Sequence, residues 1–236
     1  MRQREPRPLK FRVLYWLRRK LPLEIFWWRW RRESWSQFGE DVVLRTLFSG
    51  QNNGFYVDVG AFNPIRFSNS YLFYKAGWRG VCIEPNPRSH QMLERYRPRD
   101  INLRMAVASS EGELKLSVDE ELSRILVDEE VEDFDHVCVP SRPLADILVD
   151  YLPEGTNIDF INIDCEGRDA DVLRSNDWGR FRPSVAVVED WSEQVPSEID
   201  VLMEQYDYDF LLRLGLSKFF LAAEFKQGRA WRMSQR

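Results

Sequence analysis

Acidic side chains recur at one kind of place in this 236-residue chain, immediately after short β-rich runs. The first run leads into Asp58-Val-Gly60-Ala-Phe-Asn63 and the second ends in Glu84-Pro-Asn86-Pro. A later run leads into Asn162-Ile-Asp164-Cys-Glu166-Gly167, and another into Val188-Glu189-Asp190-Trp191. Ligands of an open α/β sheet bind at the carboxyl ends of the strands, so these acids are placed to do chemistry. Gathered carboxylates can bind a divalent cation, orient a hydroxyl, or act as a base whose pKa rises through repulsion and loss of water. Asp164, Glu166, Glu189 and Asp190 are therefore the catalytic candidates, the first two ahead of the others. Capping of the following helices is the structural use open to each. No histidine lies beside them, and no metal is expected: His90 falls in a helical stretch and His136 precedes an apolar strand.

The first two strand ends suit a cofactor. Gly60 lets the backbone turn tightly and approach a ligand without a Cβ clash. A lone glycine does not complete the GxGxxG cradle for a pyrophosphate, which disfavours a nicotinamide dinucleotide. Glu84, some two dozen residues further on, is spaced to accept hydrogen bonds from both hydroxyls of a ribose. A ribose-bearing cofactor without phosphates fits both turns.

Positioning these residues requires a parallel, doubly wound α/β sheet, and the pattern from Ser34 onward supplies one. Strands are expected at 54–59, 80–84, 102–107, 158–164 and 184–189. Helices are expected at 69–76, 88–96, 143–150, 168–175 and 197–205. Two last runs, 208–214 and 218–223, flank Gly215 and read as an antiparallel hairpin at the sheet edge. Residues 119–135 hold nine acids against the single base Arg124, a solvated excursion or a cover for the substrate.

The chain divides into a basic, Trp-rich segment at 1–33 and a catalytic domain at 34–236. Eleven Lys/Arg stand against two Glu before Glu33, and four of the nine tryptophans lie there. That mixture suits a peripheral contact with anionic lipid or packing on a partner protein. The acidic remainder argues against a nucleic-acid partner. Cys82, Cys138 and Cys165 show no paired spacing and read as reduced core residues. No run approaches a secretory signal or the ~20 apolar residues of a membrane span. Cytoplasmic residence is the expectation, with the inner face of the membrane as a peripheral address.

Several of these residues also carry a family resemblance. Phe55-Tyr-Val-Asp-Val-Gly-Ala61, the string from Arg66 to Gly80, the Glu84-Pro-Asn86 turn and Asp159-Phe-Ile-Asn-Ile-Asp-Cys-Glu-Gly167 resemble the FkbM family of methyltransferases. Ser36-Gln37-Phe-Gly39-Glu40-Asp41 resembles the Ser-Gln-x-Gly-Glu-Asp signature of one branch. The resemblance runs from about Ser36 to Ala223. It implies a Rossmann-like class I methyltransferase fold with a mostly parallel seven-stranded sheet, S-adenosylmethionine as cofactor, and methylation of a hydroxyl, often on a sugar. Carried over, Asp58 and Gly60 contact the methionine part, Glu84 the ribose, and Ala108 and Ser109 the adenine region, with Ala61 and Asn86 also in the implied cofactor set. Gln37, Glu40 and Asp164 complete the implied cofactor set. The common Lys-Ile-Asp-Val-Glu-Gly form is Asn162-Ile-Asp-Cys-Glu-Gly here, so any role of that lysine's charge is absent.

The resulting expectation is an S-adenosylmethionine-dependent O-methyltransferase acting on a hydroxyl of a glycan or small molecule, a sugar by preference. Holding the acceptor oxygen in line can supply about 7 to 11 kcal/mol of the barrier, and a nearby base assists the proton's departure. Two other readings stay open: a non-catalytic methyltransferase-fold module recruited through residues 1–33, and another acidic-site α/β enzyme such as a metal hydrolase.

Overall fold

The computed structural model describes residues 34–117 and 136–227. The basic segment 1–33 and the acidic excursion 119–135 lie outside the described residues. In chain order the elements are α1 (Glu40–Leu47), β1 (Phe55–Val59), α2 (Tyr71–Lys75), β2 (Arg79–Ile83), α3 (Pro87–Tyr96) and β3 (Ile101–Leu103). There follow β4 (Ala106–Val107), β5 (Gly112–Ser117), β6 (His136–Arg142), α4 (Leu144–Tyr151), β7 (Phe160–Ile163) and α5 (Asp169–Arg174). The last are β8 (Val185–Glu189), α6 (Glu198–Gln205), β9 (Tyr208–Leu214) and β10 (Ser217–Ala222).

Period-two alternation sorts the strands onto two cores. Val57, Val59, Val81, Ile83, Ile161, Ile163, Ala186 and Val188 face one cluster, packed by Leu144 and Ile147 of α4, Val172 of α5 and Met203 of α6. Tyr56, Cys82, Phe160, Val185 and Val187 face the other, with Leu44 of α1, Phe73 of α2 and Leu93 of α3. Strands buried on both faces need helices on both sides, and the parallel sheet follows.

The sheet has seven strands in the order β3-β2-β1-β7-β8-β10-β9. All neighbouring pairs up to β8 are parallel, and β10 runs antiparallel to both β8 and β9. The terminal hairpin thus closes the edge as expected. The chain winds outward from β1 to β3 and returns on the other side of β1 as β7, which makes the β1/β7 boundary the topological switch point.

Two expectations need correction. The run 102–107 is not one strand: the main sheet ends at Leu103, whose carbonyl accepts the Glu84 N–H. After Arg104 and Met105, Ala106 and Val107 pair instead with Ser141 and Arg142 of β6. This second sheet, in the order β4-β6-β5, was not foreseen. Cysteine placement differs as well. Cys82 is buried and Cys165 half-buried, but Cys138 is exposed, because Val139 and Ser141 take the inward positions of β6 and alternation turns Cys138 outward.

Candidate functional site

A cavity of about 390 Å³ opens at the carboxyl ends of β1, β2, β7 and β8. Gln37, Asp58, Gly60, Ala61, Glu84, Asn86, Asp164, Glu166 and Glu189 all line it, so most of the residues singled out in the sequence converge.

Asp58 and Asn162 are register partners on adjacent strands, which puts both side chains on the same face at the same level. The Asn162 amide donates to Asp58 Oδ1 at 2.9 Å and accepts from the Asn69 amide at 2.8 Å. Ser70 Oγ donates to the other Asp58 oxygen. Arg97 brings a positive charge 3.8 Å from that oxygen. Arg97 is wholly buried, with Nε on Asp100 at 2.8 Å and a terminal nitrogen on the Tyr56 hydroxyl at 2.9 Å. A neutral amide at 162 therefore orients the pocket carboxylate while the Arg97 guanidinium, on the same face of the sheet, balances its charge. Gly60 (φ 78) has a reason beyond ligand approach: a Cβ there would sit 1.8 Å from the Asp164 carbonyl oxygen. The glycine is what lets the β1 and β7 turns touch.

Glu84 is buried at the end of β2. Its carboxylate accepts the Phe62 N–H at 2.7 Å and the Asn86 N–H at 2.7 Å. One donor per oxygen leaves lone pairs for hydroxyl donors. Burial pushes its pKa up to about 7 against the pull of those two N–H groups. Asn86 itself caps α3 through the Arg88 and Ser89 N–H groups, with Pro87 at the first helical position.

Asp164 lies open to the cavity yet is closely walled by protein, and this loss of surrounding water raises its pKa well above the carboxylate range. The charge of Glu189 adds to the rise, as does the hydrogen bond between the two carboxyls, which needs one shared proton. Glu166, in a left-handed turn at φ 50, is raised by the same two causes, limited hydration first. Glu189 Oε2 also accepts the Trp191 indole N–H at 2.9 Å. Asp169 ties the turn together by accepting the Cys165 and Gly167 N–H groups, and burial lifts it to about 7. Among the described residues no three His, Cys, Asp or Glu side chains converge as a metal site.

Some expected residues are not brought to the cavity. Asp190 is buried beside it, bound to Lys218 at 2.8 Å and to the Ser197 hydroxyl at 2.6 Å. Alternation explains this: Glu189 faces the cavity, so its neighbour faces the α6 side. Burial works against that charge, yet Lys218 and Ser197 hold the Asp190 pKa below its usual value. Glu40 is buried too, accepting the Phe38 N–H at 2.8 Å and the Ser217 hydroxyl. In the same motif Ser36 donates to Asp41, as does Ser34 two residues before it, so this opening piece is a local staple and Gln37 alone of the motif reaches the cavity. Ala108 and Ser109 fall past the wall, Ala108 N bonding the Arg142 carbonyl. The apolar wall is instead Met105, Ala106, Val107 and Leu116. Sequence reasoning missed this wall because the second sheet builds it. The rim residues Arg168 and Trp191 were also missed, although Trp191 lies just past a strand end, whereas Arg66 and Phe67 fall in the segment 64–69 expected to meet the acceptor.

These elements define a Rossmann-like class I methyltransferase fold. The chain matches the methyltransferase FkbM domain over residues 58–210, and it belongs to that family. No curated protein matches it. Among solved structures it is similar to a TehB-like SAM-dependent methyltransferase from Corynebacterium glutamicum, at 13% identity over 84% of this chain and 97% of the other, with a TM-score of 0.39. It is also similar to an O-methyltransferase from Bacillus cereus solved in complex with SAH, at 13% identity over 80% and 83% of the two chains, with a TM-score of 0.41. Likeness of this degree adds nothing to the strand order. Family membership makes S-adenosylmethionine the cofactor. The cavity suits it: a buried acid for ribose hydroxyls, an apolar wall for a purine, and an acidic floor for a sulfonium charge.

Proposed function

We propose that this methyltransferase is O-directed and methylates a hydroxyl of a sugar, in a glycan or a glycosylated metabolite. The observation that carries this reading is the Asp164–Glu189 pair, open to the cavity, where loss of water and the neighbouring Glu189 charge raise the Asp164 pKa and make it a stronger base than an ordinary carboxylate. A sugar hydroxyl is a weak acid, and a carboxylate of ordinary pKa is a poor base for it.

When bound, S-adenosylmethionine supplies a methyl group already activated on a positively charged sulfur. Glu84 would accept the ribose hydroxyls, and Ile83, Met105, Val107 and Leu116 would cover the purine. Asp58, fixed from three sides, would meet the methionine end. The Asp164–Glu189 pair takes the acceptor's proton as the oxygen–carbon bond forms. Turnover should then fall as pH drops and the pair fills with a second proton.

The test is Asp164→Asn. Binding of S-adenosylhomocysteine, followed by calorimetry, should change little. Methyl incorporation into glycans extracted from cells lacking the protein, followed by mass spectrometry, should drop about 10²-fold or more, the range for a lost general base. Unchanged incorporation removes Asp164 from the base role.

A further inference from the structure

The strand order divides the cavity. Glu84 and the Met105–Val107 wall follow β2 and β3 on one side of β1, while Arg168 and Trp191 follow β7 and β8 on the other, with Arg66 and Phe67 in the loop after β1. Ribose and purine chemistry belongs to the first side, which leaves the second to the acceptor. Its rim has an unusual make-up for a surface.

Trp191 is 59% exposed although it lines a cavity, and its N–H bond to Glu189 fixes the orientation of the ring. An exposed aromatic face held in place is a platform, since its negative quadrupole attracts the polarised C–H face of a pyranose. Phe67 is 39% exposed in a left-handed backbone conformation at φ 59, a strained setting for a bulky residue, and carries the Arg66 guanidinium 4.4 Å above its ring. Arg168 is half-exposed, and its ion pair with Asp171 is long at 3.4 Å and uses one of five N–H donors. Two guanidinium groups thus border two exposed aromatic rings on three adjacent loops. The floor acids Asp164, Glu166 and Glu189 face the same space, so an anion can be accommodated at the arginine edge and not deeper.

We infer that the acceptor is an anionic sugar, its ring stacked on Trp191 and its carboxylate or phosphoryl group held by Arg66 and Arg168. This rests on the sugar-directed reading above and names the class of sugar. The anion fixes which way the ring lies on the platform, and so which hydroxyl meets the Asp164–Glu189 pair.

Three probes test it, each titrated into the full chain saturated with S-adenosylhomocysteine and followed through the indole N–H resonance of Trp191: methyl glucuronide, glucose 1-phosphate and methyl glucoside. At least one charged probe should bind about 10-fold more tightly than the neutral glucoside, the scale of one or two charge-assisted hydrogen bonds. Whichever charged probe prevails names the anion. The double variant Arg66→Gln/Arg168→Gln should erase that advantage and leave the glucoside unchanged. Trp191→Ala should weaken all three probes about 10-fold, and Trp191→Phe, which keeps a ring, should restore most of the loss, both read from ligand-observed spectra. Thermal unfolding and S-adenosylhomocysteine affinity confirm that each variant is folded. Equal binding of charged and neutral probes, or a charged-probe advantage that survives the double arginine variant, overturns this inference alone. No binding by any of the three, with S-adenosylhomocysteine still bound, overturns it together with the sugar-directed reading.

Discussion

Replacing Arg97 by Met should be the most damaging single change behind the cofactor pocket. The guanidinium is wholly buried and bonds Asp100 at 2.8 Å, the Tyr56 hydroxyl at 2.9 Å and Ser68 Oγ at 3.3 Å, with Asp58 at 3.8 Å. Methionine fills part of the volume but leaves two carboxylates facing each other without a cation. Removing one partner of a buried pair costs about 3–5 kcal/mol. For a domain of this size each kcal/mol moves Tm by about 2–4 °C, so a fall of roughly 10 °C is expected. The pH dependence supplies the sharper check. Burial raises the Asp100 pKa even with Arg97 in place, and removing the opposing cation raises it further. An acid with a folded pKa above its unfolded one binds more protons in the folded state, so stability falls as pH rises between the two values. The deficit of the variant relative to the parent should therefore be largest at pH 8 and shrink toward pH 5, measured by urea unfolding across that range. A loss below about 1 kcal/mol at pH 7, outside the range for a broken buried pair, or a deficit that grows on acidification, would refute the account of Arg97 as the balancing charge.

Three further outcomes follow from the site. Affinity for S-adenosylhomocysteine should rise about tenfold from pH 6 to pH 8, because ribose hydroxyls donate to ionised Glu84, whose pKa is about 7; a flat calorimetric profile contradicts the ribose role. Gly60→Ala forces a Cβ to within 1.8 Å of the Asp164 carbonyl oxygen at a positive φ, so thermal melts should show a loss of about 2–4 kcal/mol together with weaker cofactor binding. Lys218→Met strips the cation from buried Asp190 and from Asp200 and should cost about 3 kcal/mol in urea unfolding. Methyl incorporation per folded molecule should stay unchanged, because Asp190 supports the fold; a collapse of incorporation in folded protein would return Asp190 to the chemistry.

How much of this was legible in the sequence varied with the range of the physics involved. Strand ends were readable because runs such as Phe55–Val59 and Val185–Glu189 are otherwise apolar and carry an acid in one of their last two positions. Asp58, Glu84, Asp164 and Glu189 followed from that pattern alone. Asp190 was misplaced although alternation, a local rule, already turns it away from Glu189. The apolar wall was illegible for a different reason. It depends on Ala106 pairing with Ser141 and on Leu116 of β5, contacts between segments far apart in the chain. No local periodicity signals that Leu103 and Ala106 belong to different sheets. The opening Ser36-to-Asp41 motif looked like ligand chemistry, whereas Ser36, Glu40 and Asp41 bond side-chain and backbone groups of the motif itself.

The pairing of β5 with β6 fixes one more property of the molecule. Their register closes at Ser117 opposite His136, so the chain leaves the second sheet and re-enters it at a single rung. What is inserted between those two residues does not need to span any distance. Loop-closure entropy grows only with the logarithm of length, about 0.6 kcal/mol for each doubling. Relatives could therefore lengthen, shorten or recharge residues 118–135 almost without cost to the fold, a few residues from Leu116 in the cavity wall. The rung between Ser117 and His136 is thus a point at which an insertion can change in length and charge while the seven-stranded sheet stays as it is.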